Sequence, residues 1–307
     1  MKILIIGGLH HKNEKALHWM LDECGYEYKF GDMSDNINDY DVIFSPTMPI
    51  DTSLYPPNKK FIFGPHFSVF PERKITQINN VNNNCIYIQP SRWAADIWIN
   101  KGVNNIMPIK SFPFAVDTNR FAPYANGVKG AAPLAEPLPF VYYKHRDPNE
   151  LYVLHHFLQS KNINNYKLVD YSKGYDENEY LTLLQNSKFG IILDGHESQG
   201  FAIQEALSCN VPLLVWNATS MSQEYGADFI DLPCTTIPYW DEKCGEFFNT
   251  TKELEDVYCN FMKKLDMNYY SPREYILNNL SVKECAKRLK ELIEDTSFAS
   301  ECQRKTS

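Results

Sequence analysis

Short apolar runs alternate along the chain with longer segments in which apolar residues recur every three or four positions. Runs of about four to eight residues rich in Ile, Val and Phe are typical of buried strands, whereas the wider spacing is typical of helices. In the first half the pattern predicts strands at Ile3–Ile6, Tyr26–Lys29, Val42–Ser45, Phe61–Phe63, Ile86–Ile88 and Ile106–Ile109, and helices at Asn13–Cys24 and Ser91–Lys101. This alternation of strands and helices favours an α/β fold.

The second half of the chain repeats the alternation. It predicts strands at Phe140–Tyr143, Lys167–Asp170, Lys188–Leu193 and Val211–Trp216, and helices at Asn149–Ser160 and Glu177–Gln185. Between the halves, Pro123–Pro139 is dense in Ala, Gly and Pro with little apolar periodicity, which indicates a linker. We therefore predict a first domain over 1–122, a linker over 123–139, a second domain over 140–271, a C-terminal helix within 272–296 and a frayed tail over 297–307.

Length, composition and charge narrow the classes of function. A chain of 307 residues with 44% hydrophobic residues has enough apolar material for two domains. Its formal net charge of -8 argues against a nucleic acid as partner. No segment approaches the roughly 20 apolar residues of a membrane helix, and the opening KILIIGG is too short for a signal sequence. The eight cysteines form no C-x-x-C motif, so we expect reduced thiols and a cytoplasmic location.

Two glutamates, Glu197 and Glu205, stand eight residues apart between two predicted strands. Glu197 lies in a polar loop, and Glu205 lies on the second turn of a helix that starts near Gly200. In parallel sheets ligands bind at the carboxyl ends of the strands, where the N–H groups of a helix N-terminus attract phosphate. A glutamate on either side of a diphosphate can bind hydroxyl groups. The segment therefore predicts a site for a nucleotide-sugar.

This segment resembles the E-x7-E signature of the retaining glycosyltransferases of the family 4 type, which have the GT-B fold. The family pattern runs roughly E-[PS]-x-G-x-x-x-x-E-A and then small-x-G-x-P. It is matched here by Glu197, Gly200, Glu205, Ala206 and Pro212. The family's glycine at the end of the helix is Asn210 here, which is a mild departure because Asn also accepts a left-handed C-cap.

Two further segments carry the resemblance. PFAVDTNRFAP (Pro113–Pro123) is similar to the family's P-N-G-V-D-x-x-x-F-x-P at the crossing between domains, and QPSRWAADIW (Gln89–Trp98) is similar to the strand-Ser-helix segment before it. The resemblance implies an α/β, GT-B fold in which two Rossmann-like domains face a central cleft. It also implies that the N-terminal domain binds the acceptor, that residues 140–271 bind the nucleotide-sugar, and that the C-terminal helix crosses back to the N-terminal domain.

The resemblance implies a role for each residue of the signature. Glu197 would face the hydroxyls of the donor sugar, and Glu205 would bind the ribose of the nucleotide. The N–H groups of Gly200, Phe201 and Ala202 would hold the diphosphate, because a helix N-terminus favours anions. The alternative for the glutamates is an ordinary loop acid and an ordinary exposed helix acid.

Two cations, Lys144 and Arg146, follow the first predicted strand of the second domain in VYYKHRDP. The family has G-R-x-x-x-x-K-G here, and its cations neutralise the leaving diphosphate. This chain lacks the glycine and the K-G, so the match is approximate, and a pair of solvated surface cations is the alternative. Cations aimed at a departing diphosphate lower the barrier, so we predict that both residues are catalytic.

Four more residues complete the predicted site. Gly7 and Gly8 follow the first strand, where the resemblance implies a loop that closes over the donor diphosphate; a tight turn is the alternative. His66 follows the strand at Phe61–Phe63, where the family often has a His near the reacting carbon, although a lone His is more often structural. Tyr171 is a candidate for the wall of the nucleobase pocket, with a buried core tyrosine as the alternative.

The function predicted from the sequence is transfer of a sugar from a UDP- or GDP-linked donor to a glycan or other hydroxyl acceptor, with retention and without a cofactor or metal. The D-x-D at Asp39–Asp41 precedes a strand instead of following one, so we read it as a polar turn and not as a metal motif. Three alternatives stay open: an inverting enzyme with His66, His10 or His11 as base, a non-catalytic GT-B-like binding subunit, and a sugar-nucleotide epimerase. The sequence leaves the oligomeric state open.

Overall fold

The computed structural model describes residues 1–46, 49–52, 55–56, 59–71, 84–124 and 137–295. The chain divides into two compact units, one of Met1–Ala115 with Leu280–Ser307 and the other of Val116–Asn279. Each unit has a parallel sheet of its own. Residues 125–136 of the predicted linker and the predicted tail at 297–307 lie outside the described residues.

In the described residues, the sheet of the N-terminal unit has six parallel strands in the order β2-β1-β3-β4-β5-β6. The strands are β1 (Lys2–Ile6), β2 (Glu27–Gly31), β3 (Val42–Ser45), β4 (Lys60–Phe63), β5 (Cys85–Gln89) and β6 (Ile109–Ser111). Helix α1 (His11–Cys24) follows β1, and α2 (Arg92–Asn100) follows β5. Because β1, β3, β4 and β5 are buried on both faces, they read in the sequence as continuous apolar runs.

The C-terminal unit has five parallel strands in the order β11-β10-β9-β7-β8. They are β7 (Leu138–Lys144), β8 (Lys167–Asp170), β9 (Ser187–Asp194), β10 (Leu213–Trp216) and β11 (Gly245–Phe248). Its helices are α3 (Pro148–Ser160), α4 (Glu177–Gln185), α5 (Phe201–Ser208), α6 (Leu254–Asp266) and α7 (Pro272–Asn279). The core on one side of the sheet includes Val141, Ile191, Leu214 and Phe261. β9 lies at the centre of this sheet, so the residues that follow it are held between the ends of two neighbouring strands.

The last helix of the described residues, α8 (Val282–Glu294), belongs to the N-terminal unit and packs against α1. It begins at Ser281, whose hydroxyl accepts a hydrogen bond from the N–H of Glu284 (3.4 Å). Its apolar stripe, with Cys285 and Leu289, is fully buried. None of the helices in the described parts of the chain combines the length and apolar character needed to cross a bilayer.

A buried lysine holds the C-terminal end of α8. The ammonium of Lys60 on β4 donates to the carbonyls of Ile293 (2.6 Å), Leu292 (3.5 Å) and Asp295. Replacing Lys60 with Met leaves these carbonyls without that donor, so we expect the free energy of unfolding to fall by about 1–3 kcal/mol. Lys110→Met is the control, because the exposed Lys110 ammonium pairs with the side-chain carboxylate of Asp295 (3.1 Å) and its loss costs under about 1 kcal/mol. Equal losses for the two variants in urea denaturation would contradict this account.

Candidate functional site

The predicted signature lies where β9 ends and α5 begins. β7 and β9 are neighbours in the sheet, and their register places Lys144 opposite Asp194. The N–H of Gly195 donates to the carbonyl of Lys144 (3.0 Å), so the two strand ends are tied together just before the loop that carries Glu197. That loop is tied in turn to a later segment, because the N–H of Glu197 donates to the carbonyl of Thr235 (3.1 Å).

An ion pair between Lys144 and Glu197 is the centre of the site. The Lys144 Nζ lies 2.6 Å from Oε1 of Glu197 and 3.8 Å from Oδ2 of Asp194. The side chains of Lys144 and Glu197 are only 16% and 14% exposed. Burial alone would lower the pKa of Lys144, but the charges of Asp194 and Glu197 raise it above its ordinary value. The lysine is therefore a fixed positive charge at the end of β7.

The two carboxyl groups beside this lysine differ in their surroundings. Asp194 is fully buried, and burial raises its pKa well above the ordinary value; the charge of Glu197 adds to the rise and Lys144 opposes it. Burial would also raise the pKa of Glu197, but the close Lys144 ammonium and the Asp194 side chain hold it below its usual range. Glu197 is therefore the stronger acid of the two.

Arg146 lies beneath this site and is fully buried. Its Nε and Nη2 donate to the two carboxylate oxygens of Glu150 (2.7 Å each), and its Nη1 donates to the carbonyls of Asp194 and Trp216 (3.3 Å each). The guanidinium also stands over the Trp216 ring, 5.5 Å from its centroid. Arg146 therefore joins the carboxyl ends of β7, β9 and β10. Each of its three guanidinium nitrogens donates a hydrogen bond within the unit.

No side chain among the described residues caps the start of helix α5. Gly200, its N-cap residue, has φ +79°, and the first helical hydrogen bond runs from the N–H of Gln204 to the Gly200 carbonyl (3.0 Å). Phe201 and Ala202 form the first turn, in which the helix itself supplies no acceptors for N–H groups. The predicted anion-binding end of the helix thus directly follows the loop that holds Glu197.

A substitution at Gly200 tests this turn. Gly200→Val is expected to destabilise the protein by about 1–2 kcal/mol, because a β-branched residue is strained at positive φ. Gly200→Asn, which tolerates the left-handed region, should cost a few tenths of a kcal/mol by the same reasoning. A Cβ here would meet Glu197 only at ordinary contact distance (3.4 Å), so backbone strain and not crowding decides the outcome. Equal thermal stability of the two variants would refute the left-handed backbone conformation of Gly200 at the start of α5.

Glu205 lies on the inner side of α5 and is almost fully buried. Its charge acts on groups inside the unit: burial, together with Glu205, raises the pKa of Cys209 to about 12 and that of Tyr175 above its ordinary value. Tyr180 fixes the same helix, because its hydroxyl donates to the carbonyl of Ala202 (3.0 Å). The second glutamate of the signature is therefore not an exposed helix acid.

Tyr171 follows β8 and is 43% exposed. The Lys144 ammonium stands over its ring, 5.0 Å from the centroid, and the His145 ring meets it edge-on at 5.6 Å. The structure thus brings Tyr171 together with Lys144 and Glu197, and its exposed ring is not part of the core.

The sequence prediction missed two polar clusters around the signature. Glu224 approaches the Nδ1 atoms of His196 (2.9 Å) and His145 (3.3 Å), which links a later loop to the ends of β9 and β7. Burial would raise the pKa of Glu224, but the hydrogen bond with His196 and the nearby positive groups lower it. In the second cluster the Gln199 side chain donates to that of Gln204 (3.0 Å), and both are buried. Their polarity within the signature was the only signal for Gln199 and Gln204, and Glu224 had none.

The remaining predicted residues belong to the N-terminal unit. Gly7, with φ +105°, and Gly8 follow the end of β1. His66 follows β4; its Nδ1 accepts a hydrogen bond from the N–H of Ser68 (3.1 Å), and its ring lies 6.1 Å from that of Trp98. The roles of Gly7, Gly8 and His66 stay predictions.

The D-x-D motif is part of a turn. Asp39 ends a short helical turn and accepts a hydrogen bond from the side chain of Asn36 (2.9 Å), while Asp41 accepts from the N–H of Lys2 (2.8 Å). Across the described ranges, no three His, Cys, Asp or Glu side chains are grouped so that they could hold a metal ion.

Comparison with known proteins identifies the fold. No family model and no curated protein matches the sequence. Among solved structures, the trehalose-6-phosphate phosphatase N-terminal domain of Candida albicans is similar with a TM-score of 0.61, 10% identity, and coverage of 95% of this chain and 96% of that chain. The sucrose-phosphate synthase of Thermosynechococcus elongatus is similar with a TM-score of 0.58 and 11% identity, and the match covers 95% of this chain and 98% of that chain. The catalytic domain of starch synthase IV from Arabidopsis thaliana, bound to ADP and acarbose, has a TM-score of 0.54 and 11% identity, and the match covers 96% of this chain and 79% of that chain.

These likenesses, with the two parallel sheets, show a GT-B fold of two Rossmann-like domains and confirm the predicted fold class. At 10–11% identity they establish the fold and nothing finer. The E-x7-E signature and the family 4 type stay predictions from the sequence.

Proposed function

We propose that this protein is a glycosyltransferase that takes its sugar from a nucleoside-diphosphate donor. The observation that carries the proposal is the Lys144–Glu197 ion pair, which lies at the carboxyl ends of β7 and β9 directly before the N-terminus of α5. A cation and a helix N-terminus suit the diphosphate of such a donor, and a carboxylate suits its sugar hydroxyls. Similar folds in a sucrose-phosphate synthase and in a starch synthase bound to ADP support the same class of reaction.

In the proposed complex each residue has one task. The Lys144 ammonium and the N–H groups at the start of α5 bind the diphosphate, and Glu197 accepts hydrogen bonds from hydroxyls of the donor sugar. Glu205, on the second turn of α5, is proposed to bind the ribose. The exposed ring of Tyr171, next to Lys144, is proposed to stack on the nucleobase.

The proposed reaction is a substitution at the anomeric carbon. The bond from this carbon to the diphosphate oxygen breaks with its electron pair, and the acceptor hydroxyl oxygen forms the new bond. The acceptor oxygen bonds on the same face that the diphosphate leaves, which gives retention, and its proton passes to the departing phosphate oxygen. Negative charge grows on the leaving diphosphate, and Lys144, held in place before the reaction, stabilises it. This fixed cation and the helix N-terminus supply the positive charge, so we propose that no metal is required.

We assign Arg146 to a positioning role in this proposal instead of contact with the diphosphate. Its burial, its bidentate pair with Glu150 and its bonds to the carbonyls at the ends of β9 and β10 support the assignment. Lys144 then carries the leaving-group role that the sequence prediction divided between the two cations.

A thermal-shift screen tests the proposal. The full chain is heated with UDP-, GDP-, ADP- and dTDP-sugars, each with and without EDTA. A ligand at about 100 times its dissociation constant adds roughly 2.7 kcal/mol, which shifts the midpoint by several degrees for a protein of this size. We expect one nucleotide class to shift the midpoint equally in the two arms. No shift with any nucleotide would favour a non-catalytic binding subunit, and a shift lost in EDTA would refute the metal-free mechanism.

The stereochemistry is tested separately on the product. NMR of the anomeric proton of the transferred sugar should show the same configuration as in the donor. Inversion would overturn the retaining mechanism and would favour a His base such as His66.

A further inference from the structure

Asp194 is a buried acid that the proposed reaction does not use. It ends β9 and is fully buried, and neither carboxyl oxygen accepts a hydrogen bond from the described residues. The Lys144 Nζ lies 3.8 Å from its Oδ2 but only 2.6 Å from Glu197, and the Arg146 guanidinium donates to the backbone carbonyl of Asp194 (3.3 Å). The backbone N–H of His196 favours the ionised form of Asp194, but it does not reach hydrogen-bond geometry with either oxygen. Asp194 therefore has little that would stabilise a negative charge.

Two carboxyl groups thus share one ammonium in a buried place. If both were ionised, the cluster of Asp194, Glu197 and Lys144 would carry a net negative charge in a largely buried place, with Asp194 fully buried, which is costly. A proton on Asp194 removes that charge, and the resulting O–H can donate to the neighbouring Glu197 carboxylate. Closely placed carboxyl groups commonly hold one proton between them for this reason.

We propose that Asp194 is a positioning residue that carries a proton, donates it in a hydrogen bond to Glu197, and so keeps the site able to accept a diphosphate. The inference rests on the proposed function for the identity of the ligand. With Asp194 neutral, the local cluster has no net charge and Lys144 can serve an incoming anion. With Asp194 ionised, the cluster would repel it. Donor binding and the Asp194 proton therefore favour each other.

The sign of the pH dependence follows from this coupling. The protonated form binds the donor more tightly, so the pKa of Asp194 is higher in the complex than in the free protein. Affinity is then constant below the free-state pKa and falls as the pH rises above it. Other titratable or charged groups face Asp194 from the surrounding segments: Tyr142 and Lys144 on β7, Arg146 after β7, His196 and Glu197 after β9, and Cys234 beyond β10. Burial raises the pKa of Tyr142 and, to about 12, that of Cys234, so neither ionises near neutrality.

Two substitutions separate a protonated Asp194 from an ionised one. Asn is neutral, has nearly the same shape and can donate to Glu197, so Asp194→Asn should keep the wild-type donor affinity at pH 7 within about threefold. Asp194→Val lacks the donor and should weaken binding about tenfold or more, because hydrogen bonds to a charged group are among the stronger ones. If Asp194 were ionised, Asp194→Asn would remove a repelling charge and tighten binding by more than threefold, and that result would overturn the proposal. His196→Gln is the matched control for the neighbouring titratable group and should retain the wild-type pH dependence.

A measurement without ligand tests the proton itself. The full chain is labelled with [γ-¹³C]aspartate, and the carboxyl shifts are followed by NMR from acid to alkaline pH. One aspartate carboxyl group should still be protonated at pH 7, as its carbon shift will show, and that carbon signal should be missing in Asp194→Asn. If every aspartate is ionised at pH 7, the proposal fails, whether or not the variants fold. If no nucleotide-sugar binds but the protonated carboxyl is present, the proposed function fails and the state of Asp194 stands.

Discussion

Lys144→Met is expected to slow turnover about 10²–10³-fold, the usual cost of removing one fixed group that stabilises charge in a transition state. The ammonium of Lys144 is held 2.6 Å from Glu197 and over the Tyr171 ring, so it is in place before the leaving diphosphate gains charge. Methionine keeps the length and the apolar stem but no charge. The measurement is the rate of nucleoside diphosphate release from the donor that the thermal screen selects, together with the donor dissociation constant.

The chain offers a matched control for this substitution. Lys264 on α6 pairs with Glu246 on the edge strand β11, and the two charged atoms are again 2.6 Å apart. This pair lies in the same unit but outside the signature segment. Lys264→Met should leave turnover within about twofold, because a partly exposed pair of this kind contributes under about 1 kcal/mol to stability alone. If the two variants were equally active, Lys144 would have no part in the chemistry.

Arg146→Met is expected to give the largest loss of stability, about 3 kcal/mol in the free energy of unfolding. The substitution breaks the ion pair between the fully buried Arg146 and the partly exposed Glu150, and it removes the donor from the buried carbonyls of Asp194 and Trp216. Removing one partner from such a network costs more than the pair contributes, because the groups that remain are left in an apolar place. A loss of this size should lower the midpoint of thermal unfolding by roughly 6–12 °C for a unit of this size.

Arg92→Met is the control for Arg146, because Arg92 and Asp96 form a pair with the same four-residue spacing. The Arg92 side chain is 83% exposed, so its loss should cost under about 0.5 kcal/mol. If donor affinity of Arg146→Met, measured well below its unfolding midpoint, stayed within a few-fold of the wild type, the positioning role would hold. A loss of turnover as large as that of Lys144→Met, with unchanged stability, would show that Arg146 acts directly on the leaving diphosphate.

Local patterns were enough to predict most of the sheet strands. The predicted bounds of Val42–Ser45, Lys167–Asp170 and the helix Glu177–Gln185 are those observed, because each is a short apolar or periodic run with clear polar flanks. The strand predicted at Ile106–Ile109 is instead β6 at Ile109–Ser111, because a short helical turn at Val103–Asn105 ends at Ile106 and delays the start of the strand. β11 was not predicted, since an edge strand of four residues that includes Glu246 has no apolar run.

The contacts between side chains within the site were harder to predict from the sequence. Glu197 and Lys144 could be selected, because each stands where a predicted strand ends, and neighbouring ends meet in a parallel sheet. Asp194 could not, since a single aspartate after a strand gives no sign of whether it is buried. Arg146 was selected for its charge, but only the fold shows that its guanidinium turns under the strand ends to meet Glu150 and Trp216.

The central claim is that the ends of β7 and β9 bind the diphosphate of a nucleotide-sugar. It is tested most directly by a crystal structure of the full chain with the nucleotide-sugar that the thermal screen selects. We predict the diphosphate within hydrogen-bond distance of the Lys144 ammonium and of the first-turn N–H groups of α5, with a sugar hydroxyl on Glu197. A nucleotide bound elsewhere, for example in the cavity of about 770 Å³ between β8 and α4, with the Lys144–Glu197 pair untouched, would contradict it.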